Sequence, residues 1–182
     1  AAAAHLDLGA ARALVLASTG PVGRRVVQLL AGRGAEVRAA SRSRQRAAEV
    51  CQSVAARLPS ARLSAHASDS AEELQQATDG VDVIVAAGAA GVELMTAKVW
   101  ESCPGLKVAI DLNAVPPAGL SGIEPTDRAT GRHGVSCYGA IGVGGVKMKI
   151  HKAAIRRLFE SNDQVLDAEE ILHIGQSLQR SP

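Results

Sequence analysis

Short apolar runs alternate with longer amphipathic segments along most of the chain. The runs have the length and character of strands, and six are found: 13–17, 36–40, 61–67, 81–87, 106–112 and 135–140. The segments between them carry apolar residues at intervals of three and four, which is typical of helices that bury one face. These helices are predicted at 22–31, 44–58, 70–78 and 94–100, with two more at 146–160 and 167–179. The alternation predicts an α/β fold: a doubly wound Rossmann-type domain with a mostly parallel sheet flanked by helices.

The predicted domain occupies the whole chain, residues 1–182, and residues from about 150 to 182 form its C-terminal helices. A chain of 182 residues is long enough to bury one substantial core. The stretch 116–134 is rich in glycine and proline and is predicted to be a long loop.

The turn after the first strand carries the clearest candidate chemistry. The turn follows the pattern G-x-G-x-x-G except that serine takes the place of the first glycine. Its residues are Ser18, Thr19, Gly20, Pro21, Val22 and Gly23. Gly20 would let a pyrophosphate approach the backbone, and Gly23 would let the helix pack closely on the strand. Pro21 suits the first position of that helix, whose N-terminus favours anions. We therefore predict a dinucleotide phosphate site here, although a strand–helix turn that binds no nucleotide remains an alternative.

The end of the second strand predicts which dinucleotide is bound. NAD-binding domains of this kind place a carboxylate there, about 20 residues after the glycines, to bind the ribose 2′-hydroxyl. Here Ser41 and Arg42 occupy that place, Arg46 follows, and no acid occurs before Glu49. Hydroxyl and guanidinium groups would bind a 2′-phosphate that a carboxylate would repel. The interpretation is NADP as cofactor; the alternative is a solvated basic helix start.

Later strand ends add weaker candidates. Ala87 ends the fourth strand, and Gly88 and Ala89 follow it. Small residues there permit close passage of a ribose; the alternative is that the glycine serves only a tight turn. Asn113 follows the fifth strand, and its carboxamide is predicted to reach the nicotinamide side of the cofactor. Asp111, within that strand, is predicted to have a structural hydrogen-bonding role because a buried carboxylate needs partners.

Composition excludes several classes of function. The net charge is +2, and only three aromatic residues occur, so no nucleic-acid partner is predicted. No run of about 18 apolar residues is present, and no membrane partner is expected. The three cysteines have neither disulfide nor zinc spacing, which predicts reduced thiols, a cytoplasmic location and no bound metal.

A second glycine cluster follows the sixth strand and leads into Lys147, which opens the next helix. A lysine is unfavourable at a helix N-terminus because the helix dipole is positive there. The position indicates a functional lysine, with a solvent-exposed one as the alternative.

Several of these strings together resemble the NADP-dependent methylene-tetrahydromethanopterin dehydrogenase family. They cover about residues 10–175 and comprise Ser18–Gly23, Ala87–Leu94, Asp111–Gly119, Gly139–Lys149, Leu158–Ser161 and Asp167–Ile171. Ser18 departs from the family, which usually has glycine there. Family members also carry a preceding pterin-binding domain that forms the other wall of the cleft, and we expect that domain to be absent from this chain.

The resemblance implies a hydride transfer in one-carbon and formaldehyde metabolism. The methylene form of a tetrahydromethanopterin-type carrier would be oxidised to the methenyl form, and NADP⁺ would be reduced. It also implies a catalytic role for Lys147 beside the pterin, and a homo-oligomer. Two alternatives stay open: an NADP-binding module without activity of its own, and a folate-linked or shikimate-type NADP dehydrogenase domain.

Overall fold

The computed structural model describes residues 2, 5–161 and 163–180. Thirteen elements follow a short 3-10 helix, Leu8–Ala10, in this described part of the chain. They are β1 (Arg12–Leu16), α1 (Pro21–Gly32), β2 (Glu36–Ser41), α2 (Arg44–Ala55), β3 (Arg62–Ala67), α3 (Ala71–Thr78), β4 (Val83–Ala86), α4 (Ala97–Glu101), β5 (Val108–Asp111), β6 (Arg128–Arg132), β7 (Val135–Tyr138), α5 (Gly144–Leu158) and α6 (Ala168–Arg180).

The strands form one sheet in the order β3-β2-β1-β4-β5-β7-β6. Every neighbouring pair is parallel except β6 and β7, which are antiparallel. The chain leaves β1 outward to β2 and β3, then returns past β1 to β4. This reversal places a crevice at the carboxyl ends of β1 and β4, where ligands bind in doubly wound sheets. The predicted fold class is confirmed.

The prediction of six strands was wrong by one, because β6 lies inside the segment 116–134 that was expected to be a loop. Its sequence, Arg-Ala-Thr-Gly-Arg, has no apolar alternation that could indicate a strand. Its backbone pairs with β7 across a turn at His133 and Gly134, both with positive φ (50° and 80°). Such turns match the twist of a hairpin, so pairing rather than burial forms this edge strand.

Helix α4 is also shorter and later than the predicted 94–100. The backbone amides of Leu94 and Met95 both donate to the carbonyl of Gly119, at 2.9 and 3.1 Å. Met95 also bridges to Leu120 in a short parallel pairing. These bonds hold the segment in an extended conformation as far as Thr96, although the spacing of its apolar residues predicts a helix.

Two apolar clusters cover the two faces of the sheet. One, around the fully buried Trp100, packs beneath α3 and α4, and the indole Nε1 donates to the carbonyl of Ser121 at 2.9 Å. The other joins Val15, Val27 and Val50 beneath α1 and α2. Valine and alanine predominate in the second cluster, which suits helices that pack closely on a parallel sheet.

The chain divides into two compact units, Ala1–Gly142 and Val143–Pro182. The first contains the sheet and α1 to α4. The second contains α5 and α6, which pack on each other where Ile150 meets Gly175. Asp167 caps α6 by accepting from the amide of Glu169 at 2.8 Å, and Glu170 accepts from the amide of Asp167 at 3.0 Å. Among the described residues, no helix combines the length and apolar character needed to cross a membrane.

Candidate dinucleotide-binding site

The turn between β1 and α1 has the geometry that the sequence predicts. Ala17 adopts a positive φ of 54°, and the amide of Ser18 donates to the carbonyl of Ala40 on β2 at 3.0 Å. Gly20 is the N-cap of α1 and Pro21 its first residue. Since no side chain caps this helix, its first amides have no side-chain acceptor and face the crevice with the positive end of the helix dipole.

The two glycines of this turn are present for different reasons. At Gly23 a Cβ would lie 2.7 Å from the Cα of Ser18 and closer still to the carbonyl oxygen of Ala17, so packing of α1 on β1 requires glycine. At Gly20 the nearest atom to such a Cβ would be the Ala17 oxygen at 3.6 Å, an ordinary contact. Protein packing therefore does not require glycine at 20. The space left there suits a phosphate against the backbone, which fits a dinucleotide.

Ser18 lies behind the turn rather than on its surface. The residue is fully buried, and among the described atoms its Oγ has no hydrogen-bond partner. Thr19 is half-buried, and its carbonyl accepts from Nε of Arg24 at 3.1 Å, while Val22 is 52% exposed. Thr19 to Val22 thus form the surface of the turn, and Ser18 with Gly23 forms its packed base.

A basic surface follows β2. Ser41 is buried, and its Oγ accepts from the amide of Ser43 at 3.3 Å, so the hydroxyl proton is left for another acceptor. Ser43 caps α2 by accepting from the amide of Arg46 at 3.4 Å. Arg42 and Arg46 are exposed, as is Arg44, and the first turn of α2 contains no acid. Three guanidinium groups therefore surround one helix N-terminus.

A cavity of about 210 Å³ lies beside this basic surface and is lined in part by Arg44, His66 and Glu73. Burial lowers the pKa of His66, and the charges of Arg38 and Arg44 lower it further, so the imidazole is neutral at pH 7. Its Nε2 lies 3.0 Å from Oγ of Ser64. Sequence reasoning missed His66; the signal was two polar residues, Ser64 and His66, on one face of a predicted strand.

The glycines in the loop after β4 are explained by packing and backbone conformation. A Cβ at Gly88 would lie 2.8 Å from Cδ1 of Leu94, and Gly91 has a φ of 72°. Ala87 is bound to the sheet through its amide, which donates to the carbonyl of Leu16 at 3.2 Å. Ala89 is exposed at the carboxyl end of the sheet. The predicted contact of Ala87, Gly88 and Ala89 with the cofactor remains a prediction.

The carboxamide of Asn113 is occupied within its own loop. Nδ2 donates to the carbonyl of Pro117 at 3.0 Å, and Oδ1 accepts from the amide of Val115 at 3.0 Å. Asp111 accepts from the amides of Asn113 and Leu120, at 2.9 and 3.0 Å, which is the structural role predicted for this carboxylate. Asn113 is only 5% exposed, so a contact with nicotinamide would require these bonds to rearrange.

Four exposed apolar side chains lie at the carboxyl end of the sheet, and of these only Val22 was singled out from the sequence, as part of the phosphate turn. Each follows a different parallel strand, and we call the set the apolar rim: Val22 after β1, Val92 after β4, Val115 after β5 and Ile141 after β7. Their exposure ranges from 45% to 58%. Only the sheet order shows that these four loops share one edge.

The second glycine cluster is explained in part by packing. The tightest neighbours of a Cβ at Gly139 or Gly142 would be backbone atoms of residues 124–127, so close packing requires both glycines. Gly144 and Gly145 have no such neighbour within 4 Å in the described structure. Lys147 lies in the second unit, exposed on the first turn of α5. Its predicted catalytic role remains a prediction.

The described residues include one group of carboxylates with oxygen atoms within 4.8 Å of one another: Asp167, Glu169 and Glu170. These residues form the cap of α6, which accounts for their closeness.

Comparison with known proteins places these features in context. A family of domains described as NAD(P)H-binding matches residues 17–118, which include the phosphate turn, the basic surface and the loops after β4 and β5. Among solved structures, a transhydrogenase from Sinorhizobium meliloti superposes with a TM-score of 0.59 at 22% identity, covering 75% of this chain and 38% of that one. The similarity to the transhydrogenase concerns the fold alone.

Two curated relatives come from Methylorubrum extorquens. The chain is 40% identical over 167 residues to the bifunctional protein MdtA, covering 92% of this chain and 58% of the relative. It is 39% identical over 100 residues to an NAD(P)-dependent methylenetetrahydromethanopterin dehydrogenase, covering 50% of this chain and 32% of the relative. The chain thus spans less than two thirds of the length of each. Both relatives support the resemblance drawn from the motifs.

Proposed function

The chain belongs to the NAD(P)H-binding family, and on this premise we propose that it acts as an NADP-dependent dehydrogenase on the methylene group of a reduced pterin carrier. The family description covers both NAD and NADP and agrees with the predicted cofactor. The observation that carries the choice of NADP is the basic surface after β2. The substrate class rests on the relative named as a methylenetetrahydromethanopterin dehydrogenase and on the motifs that resemble that family.

Ser41, Arg42 and Arg46 are the residues that would hold the 2′-phosphate. A guanidinium group binds a phosphate in bidentate geometry, and the first turn of α2 adds the positive end of a helix dipole. The buried hydroxyl of Ser41 keeps its proton for an acceptor. Because no carboxylate stands at this strand end, nothing in the basic surface opposes a second phosphate charge.

The pyrophosphate would be held by the turn from Thr19 to Val22. Gly20 leaves room for close approach, and the uncapped amides of α1 provide donors. Bound there, the nicotinamide would supply the hydride acceptor. The apolar rim could then exclude water from both rings, which protects a methenyl cation from hydrolysis. Little acid–base chemistry is needed, so positioning is the main contribution of the protein.

The carrier is proposed to be of the tetrahydromethanopterin type, with a role in one-carbon and formaldehyde metabolism. Lys147 would position the pterin, as the family resemblance implies. A cytoplasmic location and a homo-oligomeric state are further parts of the proposal. The second candidate is the one that the sequence analysis left open, a module that binds NADP without turnover of its own.

Calorimetric titration of the chain with NADP⁺ and with NAD⁺ tests the cofactor. Each charge-assisted contact to the 2′-phosphate contributes about 1.5–3 kcal/mol, so NADP⁺ should bind at least about tenfold more tightly. Equal binding would contradict the role given to the basic surface. Formation of NADPH from methylene-tetrahydromethanopterin, with methylene-tetrahydrofolate in parallel, then tests the substrate. Tight NADP⁺ binding without turnover of either carrier would favour the binding module.

A further inference from the structure

A second cavity lies in the first unit, between helices α1 and α2. Its volume is about 250 Å³, and its wall includes Arg24, Arg25 and Gln28 of α1. Ser53 of α2 lines it as well, together with Arg57, which lies two residues beyond the end of that helix. All five side chains carry hydrogen-bond donor groups, and three of them are permanently cationic. None of the residues that line the cavity in the described part of the chain is acidic.

The cavity also has an apolar floor. Val50 and Val54 of α2 line it and are only 1% and 6% exposed, because both belong to the apolar cluster beneath α1 and α2. Gln28, at 7% exposure, places a nearly buried carboxamide beside them. Sites for small molecules commonly combine an apolar lining with a few polar groups that fix the orientation of the ligand. We call this site the α1–α2 cavity.

The two arginines of α1 stand where the helix itself disfavours cations. Arg24 and Arg25 are its fourth and fifth residues, the first turn contains no acid, and the helix dipole is positive there. Arg24 uses one donor, Nε, on the carbonyl of Thr19 at 3.1 Å. Arg25 is exposed and has no hydrogen-bond or ion-pair partner among the residues that the structure describes. A bound anion would offset this unfavourable placement of charge.

The α1–α2 cavity extends away from the proposed dinucleotide site, although Pro21 and Arg24 adjoin both. The dinucleotide phosphates are assigned to the starts of α1 and α2. A helix rises 1.5 Å per residue, so Gln28 lies about 10 Å along α1 from Pro21. Ser53 likewise lies about 13 Å along α2 from its first residue, Arg44. A ligand in the cavity can therefore be bound at the same time as NADP⁺.

We propose that the α1–α2 cavity binds a small organic phosphate monoester at a site separate from that of NADP⁺. A guanidinium group presents a planar fork of donors that fits a phosphate in bidentate geometry. Several such groups match the charge of a phosphate monoester, which carries about two negative charges at pH 7. The apolar floor would contact the organic part of the ligand. Together the charge and the floor distinguish this ligand from an inorganic anion.

Calorimetric titration with phenyl phosphate tests the proposal, with the chain alone and with the chain saturated with NADP⁺. One molecule per saturated chain should bind, with a Kd of about 1 mM or tighter. The variants Arg25→Gln and Arg57→Gln should each weaken binding at least about tenfold, since each removes a charge-assisted contact. Both side chains are exposed, so folding, followed by circular dichroism, should be preserved. The matched control is Arg33→Gln, which removes an exposed arginine from the other end of α1 and should leave the affinity unchanged.

Four results would overturn the proposal. Loss of binding upon saturation with NADP⁺ would place the probe in the cofactor site, and equal weakening by Arg33→Gln would reduce the effect to net charge. Phenol binding as tightly as phenyl phosphate would show that the apolar floor alone binds the probe. Tighter binding of succinate would identify a dicarboxylate site instead. The variants are also titrated without NADP⁺, so a chain that failed to bind NADP⁺ would contradict the proposed cofactor and leave this test intact.

Discussion

Gly23 packs so closely on Ser18 that a Cβ at position 23 would lie 2.7 Å from the Cα of Ser18. This contact brings the first turn of α1 against the end of β1, and it thereby fixes where the amides of α1 point. The phosphate turn is shaped by this packing before any cofactor contributes. Its predicted function therefore depends on a backbone contact as well as on open space at Gly20.

Replacement Gly23→Ala should lower both stability and affinity for NADP⁺. The added methyl group must displace backbone, and overpacking of this kind costs about 1–3 kcal/mol. Thermal unfolding and NADP⁺ titration measure the two effects. Gly131→Ala is the matched control, because a Cβ there would meet no described atom within 4 Å. Equal behaviour of the two variants would contradict the packing explanation.

Replacement Ser18→Ala should leave NADP⁺ affinity nearly unchanged and raise the free energy of unfolding. The Oγ of Ser18 is buried without a partner, and an unsatisfied buried hydroxyl costs about 1–3 kcal/mol. Chemical denaturation measures the change. A loss of stability above about 1 kcal/mol would show instead that this hydroxyl has a partner in solution.

Replacement of Arg42 and Arg46 by alanine should reduce the preference for NADP⁺ over NAD⁺. Each lost charge-assisted contact should weaken NADP⁺ binding by about tenfold and leave NAD⁺ binding close to its original value. Arg33→Ala provides the control, since Arg33 is an exposed arginine at the other end of α1. If the Arg33 variant changed the preference as strongly, net charge alone would explain the effect.

Replacement Asp127→Asn should destabilise the first unit in a pH-dependent manner. Burial acts to raise the pKa of Asp127, but hydrogen bonds from Arg132, the Glu124 amide and Thr130 outweigh it and lower the pKa below 3.8. A carboxyl group whose pKa is lower in the folded protein stabilises the fold at pH values above its pKa in the unfolded chain. This stabilisation is lost as the pH falls through the pKa of the group in the folded protein.

At pH 7 the free energy of unfolding of the unaltered protein should therefore exceed that of the Asp127→Asn variant by about 1.5–3 kcal/mol. This difference should shrink as the pH falls below 3.8. Urea unfolding across a pH series measures it. A difference that stayed constant down to low pH would exclude ionisation of Asp127 as its source.

Replacement Lys147→Ala should lower turnover of the methylene carrier while NADP⁺ affinity changes little. The test applies to a preparation in which turnover is measurable, with kcat and KM determined separately. Lys149→Ala is the matched control, an exposed lysine two residues further along the same helix. Unchanged turnover in the Lys147 variant would remove this residue from the proposed mechanism.

The sequence by itself determined the doubly wound fold, the turn at 18–23 and the basic surface after β2. These features are local: a run of apolar residues, a glycine spacing and a helix start carry their own signals. The caps of α3 and α6 are equally local, since the side chains of Ser70 and Asp167 each accept from a backbone amide in the first turn of the helix that follows. The role of Asp111 followed from the need to satisfy a buried charge.

Tertiary structure decided the features that depend on residues distant in sequence. Strand β6 exists because β7 pairs with it, and α4 begins late because Gly119 holds the preceding segment extended. Burial of Ser18, the internal bonds of Asn113 and the gathering of the apolar rim arise in the same way. Backbone pairing and packing join segments that no periodicity connects, so only the folded chain shows which loops share an edge and which side chains are already occupied.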